Sequence, residues 1–476
     1  MMVLTAEEIR EVDRLTIEGG VPSLALMENA AHRVEEALAQ QFDPLHKQYV
    51  VVFCGKGNNG GDGFALARLL SDKVARLHVV MAAAPEELTG DAAVNYRRLV
   101  EETRIVPARE IPQKLRERRE VTIVVDALLG TGLKGPAQGR VLDLIRATRE
   151  FPEAKIAAVD LPSGLGGGGE CVRADITVTF TAPKVEHYLA EGAQECVGQL
   201  IVSQIGCPPQ FVVSKLEVSD PRDFSAFFRP RKKDGHKGDY GHVLVVGGSP
   251  GKAGAVTMAG LAALRMGAGL VSVTSREASH FAPELMTEGI EDFSLERKSV
   301  VAVGPGLGIH RDLVGNLMRN VQVPMVIDAD GLNSIAGTDF RGRGLETVLT
   351  PHPGEMARLL ERPIGDRVVD ARSFAQTRHV CVVLKGHRTL IALPDGRVFI
   401  NLSGSPAMAT GGTGDILTGM VSGLVAQFPK QIDVAVRAAV WLHGRSGELG
   451  AEELTEQCLI ATDLLKYLPR AIQEIG

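Results

Sequence analysis

Apolar and polar positions along the chain form a repeating pattern. Compact runs of β-branched residues alternate with stretches whose apolar positions recur every three or four residues. The first period is helical: Thr5 with Glu8 three residues on gives a capping-box signature, and Ile9, Val12 and Leu15 follow on one face. A second helix is predicted over residues 24–38 (LALMENAAHRVEEAL). Then come strand YVVVFC, helix FALARLL, strand ARLHVVMA, helix AAVNYRRLVEE, strand VTIVVDALLG, helix VLDLIRATRE, and strands KIAAVDLPSG and DITVTFTAP. Such alternation predicts a parallel sheet wrapped by helices. Between Cys207 and Gly241 the pattern dissolves into a segment rich in proline and charge, which marks a linker with its boundary near Asp220. Alternation resumes with HVLVVGGS, the small-residue helix AGAVTMAGLAALRMGAG, LVSVTS, SVVAVGPGLG, PMVIDADGLN and HVCVVLKGH. TLIALPDGRVFI reads as a hairpin in which Asp395-Gly396 supplies two positive φ angles.

The chain thus reads as α/β in two domains, residues 1–215 and 220–476, the first a Rossmann-like parallel sheet sandwiched between helices. Its 476 residues agree, since single cores stop growing near ~300 residues. A net charge of -6, with basic residues interspersed among acidic ones, leaves no footprint for nucleic acid. No apolar run approaches the ~20 residues that span a bilayer, and the acidic, helical N-terminus is unlike a signal or transit peptide, so a soluble cytoplasmic protein without a membrane partner is expected. The six cysteines (Cys54, Cys171, Cys196, Cys207, Cys381 and Cys458) show no disulfide-framework or zinc spacing and are expected as free thiols. Oligomeric state is not encoded legibly, and a homo-oligomer is left open.

GKGNNGGDG follows the strand YVVVFC, and Gly55, Gly57 and Gly60 satisfy G-x-G-x-x-G between a strand and a helix. An oxidoreductase would need an acid closing the second strand to hold a ribose hydroxyl, yet VVMAAAP has none before Glu86. A Walker loop would need Lys and Ser/Thr after its last glycine. A plain tight turn, with Asn59-Gly60 accepting positive φ, is the competing reading. It leaves unexplained the oxygen-bearing residues Asp126, Asp160 and Ser163 at the ends of other strands. Such oxygen donors suit a hard cation, and GTGLKGP offers amides to an anion. Together GKGNNGGDG, DALLGTGLKGP and VDLPSG resemble the NAD(P)H-hydrate epimerase domain over about the first 215 residues. The resemblance implies a potassium ion held by Asn59, Asp126 and Ser163. It also implies substrate contacts from Asn58, Asn59, Gly60, Gly61, Asp62, Gly130, Thr131, Gly132, Leu133, Lys134, Gly135, Pro136 and Asp160, with Asp160 moving protons. Lys184 in TAPK is a further candidate for proton handling, against the commoner surface lysine. One departure stands out: PSGL runs into the glycines 166–169 where the family has an acidic segment, which frees that loop.

A second glycine loop, ATGGTGDILTG, opens a helix, so free amides and the positive helix end face whatever lies above Asp415. A carboxylate beside a phosphate-binding helix tip has a reason to be there if it takes a proton from an attacking hydroxyl; the plain alternative is a helix-dipole acid. DADGLN at 328–333 lacks the glycine at position six of a calcium loop, and calcium is rejected there. With KGDYGHVLVVGGSPGKAGA, GPGLG, LTPHPGE, LKG and MATGGTGD, it closely resembles the ADP/ATP-dependent NAD(P)H-hydrate dehydratase domain, of ribokinase-like fold, over roughly the last 250 residues. The resemblance implies that Lys385, Gly386, His387, Arg388, Thr389 and Gly414 bind the nucleotide. Ala255, Gly306, His352 and Asp415 would face the hydrated dinucleotide, with Asp415 catalytic. Ser405 stands where the family has Asn, and is left out of the site.

Both domains would then serve one damaged coenzyme, NADHX or NADPHX, with ADP and Mg²⁺ as co-substrate. A ribokinase-like vitamin kinase fused to a nucleotide-binding regulatory domain is the alternative.

Overall fold

The computed structural model describes residues 1–111, 120–133, 135–275 and 281–475. The chain divides into two compact units, Met2–Ser214 and Lys215–Gly476, the second taking Met1 with it.

In the first unit α1 (Ala6–Glu18) and α2 (Ser23–Gln41) precede β1 (Tyr49–Cys54), α3 (Asn58–Leu70), β2 (Arg76–Met81), α4 (Gly90–Glu102) and β3 (Ile123–Ala127). They are followed by α5 (Gly139–Ala147), β4 (Lys155–Val159), β5 (Ile176–Phe180), the single turns α6 (Glu186–Leu189) and α7 (Ala193–Cys196), and β6 (Gln199–Ser203). The sheet is parallel throughout its described strands, in the order β2-β1-β3-β4-β5-β6. The composition of β1 shows why. Val50, Val52 and Cys54 face a core with Leu38 and Phe64, while Val51 and Phe53 face a second core with Leu144 and Phe151. A strand buried on both faces must be apolar at every position, as YVVVFC is. Each such side chain contributes about 1.5–3 kcal/mol by leaving water.

In the second unit the elements are β7 (Leu216–Val218), β8 (His242–Val246), α8 (Ala253–Arg265), β9 (Leu270–Ser275), β10 (Met286–Gly289), β11 (Val300–Val303), α9 (Arg311–Asn320) and β12 (Met325–Ile327). The chain continues through α10 (Ala329–Ile335), β13 (Gly344–Leu349), α11 (Pro353–Leu360), α12 (Arg367–Arg378), β14 (Val380–Leu384), β15 (Leu390–Ala392), β16 (Val398–Ile400), α13 (Thr413–Gln427), α14 (Ile432–Leu454) and α15 (Leu464–Gln473). Strand order is β10-β9-β8-β11-β12-β13-β14-β15-β16-β7. Only the β14–β15 and β15–β16 pairs are antiparallel.

Three local expectations change. On α1, the capping box forms as expected, with bonds of 2.8 and 3.1 Å, but Thr16 joins Ile9 and Val12 in the buried stripe while Leu15 is only half-buried. Thr16 can be buried because its hydroxyl donates to Val12 O at 2.7 Å. The β15–β16 hairpin turns through Leu393-Pro394-Asp395-Gly396, closed by Gly396 N to Leu393 O at 3.0 Å, and only Gly396 takes a positive φ. Proline at the second position pre-sets an ordinary turn with glycine last, so no two-residue loop forms. Cys171 and Cys196 are joined as a disulfide, contrary to the expectation of free thiols, while Cys54, Cys207, Cys381 and Cys458 are free. The two come together because Ala174 N donates to Cys196 O at 2.8 Å, a tertiary contact that sequence spacing does not encode. Among the described residues no helix is long and apolar enough to cross a membrane.

α13 is apolar around its whole circumference, with Ile416 to Ala426 all buried, and it packs on the small-residue helix α8. A Cβ on Gly419 would sit 2.0 Å from Ala259 O, so the helices touch backbone to backbone. Gly419→Ala is therefore expected to lower the stability of the second unit by about 1–3 kcal/mol, read as a lower urea midpoint with unchanged slope.

Candidate active sites at two sheet edges

Parallel sheets offer ligands the carboxyl ends of their strands, above all where strand order reverses. In the first unit the reversal lies between β1 and β3. The loops that follow these strands meet there: a Cβ on Gly130 would lie 3.7 Å from both Asn59 Cβ and Asp160 Oδ2. Asn59 and Asp62 are buried on the first turns of α3, Asn58 is exposed, and Thr131, Gly132, Leu133, Gly135 and Pro136 form a partly exposed rim. Lys134 lies outside the described residues. The glycines 166–169 fold into successive turns against this rim, since a Cβ on Gly167 would be 2.6 Å from Gly135 O. They allow close packing of two loops.

Asp126, fully buried, accepts Ser163 Oγ–H at 2.6 Å, Ser163 N–H at 2.7 Å and Leu128 N–H at 3.2 Å. Burial pushes its carboxyl up to about 6 against those bonds. Asn59 donates through Nδ2 to Leu129 O at 2.9 Å, but its buried Oδ1 has no hydrogen-bond partner. An orphaned carbonyl oxygen in the same loop cluster as a carboxylate and a hydroxyl is the oxygen-donor chemistry that hard cations take.

Asp160 sits at φ 65°, a region unfavourable for a residue with a Cβ and often reserved for functional positions. Lys184 explains how it is held. Only 1% of that side chain is exposed, so it is not the surface lysine that composition favours. Its ammonium donates to Asp160 Oδ1 at 2.5 Å, Thr179 Oγ1 at 2.8 Å and Phe180 O at 3.0 Å. His187 accepts Lys184 N–H on Nδ1 at 2.9 Å, so its Nε2–H donates to Asp160 O at 2.8 Å. Burial, with Lys184 beside it, drops this imidazole to about 4, and it is neutral. Burial works to raise Asp160, but Lys184 outweighs it and keeps the carboxyl below its ordinary range. Asp62, buried with Asp160 and Asp13 nearby, is raised well above that range.

In the second unit the reversal lies between β8 and β11. Ala255 and Gly306 meet across it, the Cβ positions 3.2 Å apart. The next strand ends bring the charges. Asp328, buried after β12, accepts from Lys385 Nζ at 2.7 Å and from Thr418 Oγ1 at 2.7 Å. Lys385, following β14, lies against α13: a Cβ on Gly414 would be 3.4 Å from its Nζ and 3.8 Å from Asp328 Oδ2. Burial works to lower Lys385, yet Asp328 and Glu355 hold it raised and charged. Asp415, on the first turn of α13, is pushed up to about 6 by burial and then by Asp328. His443 Nε2–H donates to Thr413 O at 2.9 Å and steadies the helix start; burial keeps it neutral, down at about 4.

The remaining expected residues are more peripheral. His352 caps α11, its Nδ1 accepting Gly354 N–H at 3.0 Å, and stays half-exposed. The backbone carbonyls of His387 and Arg388 accept from Arg367, and Thr389 Oγ1 donates to Gly386 O at 3.2 Å, so this stretch is a braced loop beyond Lys385. Asp13, Thr179 and His187 in the first site, and Asp328, Glu355, Thr418 and His443 in the second, were not among the expected residues. Asp328 alone carried a usable signal, as an acid closing an apolar strand in the manner of Asp126. Among the described residues no preformed cluster of three or more acidic, histidine or cysteine ligands exists.

The Lys184–Asp160 pair generates a stability test. Lys184→Met leaves a buried carboxylate uncompensated, which is expected to destabilise the first unit by about 3–5 kcal/mol at neutral pH. The wild-type contribution is present above the ordinary Asp value and lost as pH falls through the lowered folded value. Denaturant unfolding should therefore show the deficit of the variant shrinking on acidification.

Comparison with known proteins matches both units. The NAD(P)H-hydrate dehydratase family matches residues 243–470, and the family described as YjeF-related protein N-terminus matches residues 23–186. A bifunctional NAD(P)H-hydrate repair enzyme of Moorella thermoacetica is 39% identical over 100% of this chain and 97% of its own length. One from Escherichia coli is 35% identical over 89% of this chain and 84% of its own. The crystal structure of ADP/ATP-dependent NAD(P)H-hydrate dehydratase from Bacillus subtilis, with ATP and Mg²⁺, superimposes with TM-score 0.50 at 30% identity, covering 56% of this chain and 100% of that one. A half-buried carboxylate at a glycine-rich helix tip in one unit, an oxygen-lined loop cluster in the other, and similarity along the whole length lead to one conclusion: the chain belongs to the bifunctional NAD(P)H-hydrate repair enzymes.

Proposed function

We propose that this chain restores hydrated NADH and NADPH in two steps. The domain at 1–215 interconverts the R and S epimers, and the domain at 220–476 dehydrates the S form at the expense of ADP, giving AMP and phosphate. The observation that carries the second step is Asp415, a half-buried carboxylate on the first turn of α13 beside Lys385. Hydroxide is a poor leaving group. Asp415 takes the proton of the substrate hydroxyl as that oxygen attacks the terminal phosphoryl of ADP. The ring nitrogen's lone pair then expels phosphate. Lys385 and the amides around Gly414 face the transferring charge. Ala255 and Gly306 border the dinucleotide, and His352 acts from the cap of α11. Asp328 and Glu355 are the nearby oxygen donors that would hold a Mg²⁺ bound with the nucleotide, which would supply positive charge to the transferring phosphoryl group.

In the first domain the orphaned Asn59 Oδ1, with Asp126 and Ser163 Oγ, fits a potassium ion, which would supply fixed positive charge for the substrate phosphates. Asp160, held by Lys184, handles protons; Lys184 is a positioning residue. Of the alternatives, a vitamin kinase would leave a stable phosphorylated product.

Asp415→Asn is expected to lower the rate of NADH recovery from S-NADHX and ADP by about 10²–10⁴-fold, followed in the near ultraviolet with phosphate release. Undiminished repair would remove Asp415 from the mechanism. Since the base must be ionised, the wild-type rate should fall as pH drops through about 6. For the cation, the first domain's melting temperature is expected to rise with KCl relative to tetramethylammonium chloride, by about 2.7 kcal/mol of stability at a hundredfold excess over Kd. Asn59→Ala should abolish the rise.

A further inference from the structure

An ammonium group has three hydrogens to donate. Those of Lys184 are all committed, to Asp160 Oδ1, Thr179 Oγ1 and Phe180 O. The Lys184–Asp160 pair is therefore closed and carries no net charge. Two more carboxyls face it. Asp62, from α3, is 9% exposed, and Asp13, from α1, is half-buried. Each lies within reach of the charges of Asp160 and Lys184, and Asp62 also within reach of Asp13. Neither has a hydrogen-bond or ion-pair partner among the described residues. The other titratable group on this pair, His187, is neutral and bonded to Asp160 O.

The placement of α1 is fixed by the lysine segment itself. Leu4 N donates to Pro183 O at 2.9 Å and Val185 N donates to Leu4 O at 3.1 Å, so the residue entering α1 is stitched to both neighbours of Lys184. The capping box then starts the helix at Thr5, and Asp13 follows two turns on. A surface-packing helix would show lysine, serine or asparagine at such a position as readily as a carboxyl. Here the carboxyl is turned toward a site that already has more acids than cations.

Charge counting sets the protonation. Three carboxyls share one ammonium whose bonds are used up, in a place mostly closed to water. Two unpaired carboxylates of like charge within reach of one another resist ionising together, so the pair retains a proton more readily than either alone. We infer that Asp13 and Asp62 together form the proton-donating half of the epimerase site, opposite the Asp160 carboxylate, so that α1 belongs to its chemical apparatus. This rests on the epimerase reading above. Burial and then Asp160 lift Asp13 to about 6 despite Lys184, while Lys184 holds Asp160 down; groups pushed apart in this way divide into acid and base.

The step balances without any co-reactant. The pair's proton passes to the substrate hydroxyl, the C–O bond breaks, and the ring nitrogen's lone pair forms C=N⁺ as water departs. Water then adds to the opposite face, forming a new C–O bond and giving its proton to Asp160. One proton has crossed from the pair to Asp160, solvent exchange returns it, and the reverse direction uses the same groups in exchanged roles.

The test is Asp13→Asn in the full chain, which keeps the shape and removes the acid. With R-NADHX as substrate and the chain's own dehydratase step on S-NADHX as the measure of folded protein, kcat for epimer exchange is expected to fall about 10²-fold with KM within a few-fold. The alkaline limb of the kcat profile should also move to lower pH, because Asp62 loses the like-charged neighbour that keeps its proton on. Unchanged kcat, or a slower rate with an unshifted profile, overturns the donor role. A wild-type chain that repairs S-NADHX but does not exchange the epimers overturns the epimerase reading itself, and this inference with it.

Discussion

Each site is organised around a lysine, fully buried in the first and mostly buried in the second, bound to the carboxylate that ends another strand. Lys184 follows β5 and holds Asp160 at the end of β4; Lys385 follows β14 and holds Asp328 at the end of β12. A buried ion pair contributes little net stability, because desolvation offsets most of the attraction, so its value is positional. Once the ammonium is committed to its first partner, every further carboxyl in the same site competes for what remains of its charge, as Glu355 does at 4.0 Å from Lys385 Nζ. Burial then raises it: Asp62 and Asp13 in one unit, Asp415 and Glu355 in the other. Each site thereby holds a lysine-bound carboxylate and at least one acid lifted above its ordinary range, and in the first site Asp160 is held low while Asp13 and Asp62 are raised, the separation that lets acid and base divide.

The sheets explain why these groups occur where they do. Strands covered on both faces cannot carry charge along their length, as the alternating cores beneath Val50–Val52 and Val51–Phe53 demonstrate. Polar chemistry is confined to strand ends, and the reversals β1/β3 and β8/β11 open the only gaps between covering helices that parallel connectivity requires.

That confinement also made much of the protein readable in advance. Apolar runs ending in Asp126 or Asp160, and glycine loops between strand and helix, mark sites in one dimension. Ser163 bonds Asp126 directly and Asn59 reaches the same place through Leu129 O, while Ala255 and Gly306 close on one another. Residues were missed where their role depends on what the fold brings beside them. Lys184 was a candidate by its place in TAPK, but its hold on Asp160 shows only once Thr179 and Phe180 O surround it. Asp13 lies on a helix whose sequence reads as ordinary amphipathic packing, and His443 on one whose periodicity is plain helix. The Cys171–Cys196 bond depends on a backbone contact between segments 25 residues apart. The hairpin turn was misjudged because proline, not the Asp-Gly pair, decides its geometry.

The rigidity of the second site gives the first its purpose. The start of α13 is fixed by Thr413 Oγ1 bonds of 3.1 Å to Met408 O and to Thr410 O, by His443 on Thr413 O, and by Thr418 on Asp328, while α8 presses on its glycines. On the proposed mechanism, Asp415 and the amides at the start of α13 cannot shift to follow a hydroxyl on the other face of the ring. An in-line attack displaced by about 1 Å can cost ~10² in rate, so a scaffold this constrained serves one epimer. Spontaneous hydration has no such preference. A chain that repairs all of its damaged coenzyme therefore needs a second, reversible site whose chemistry is symmetric about that carbon, and acids placed across from a held carboxylate meet that requirement.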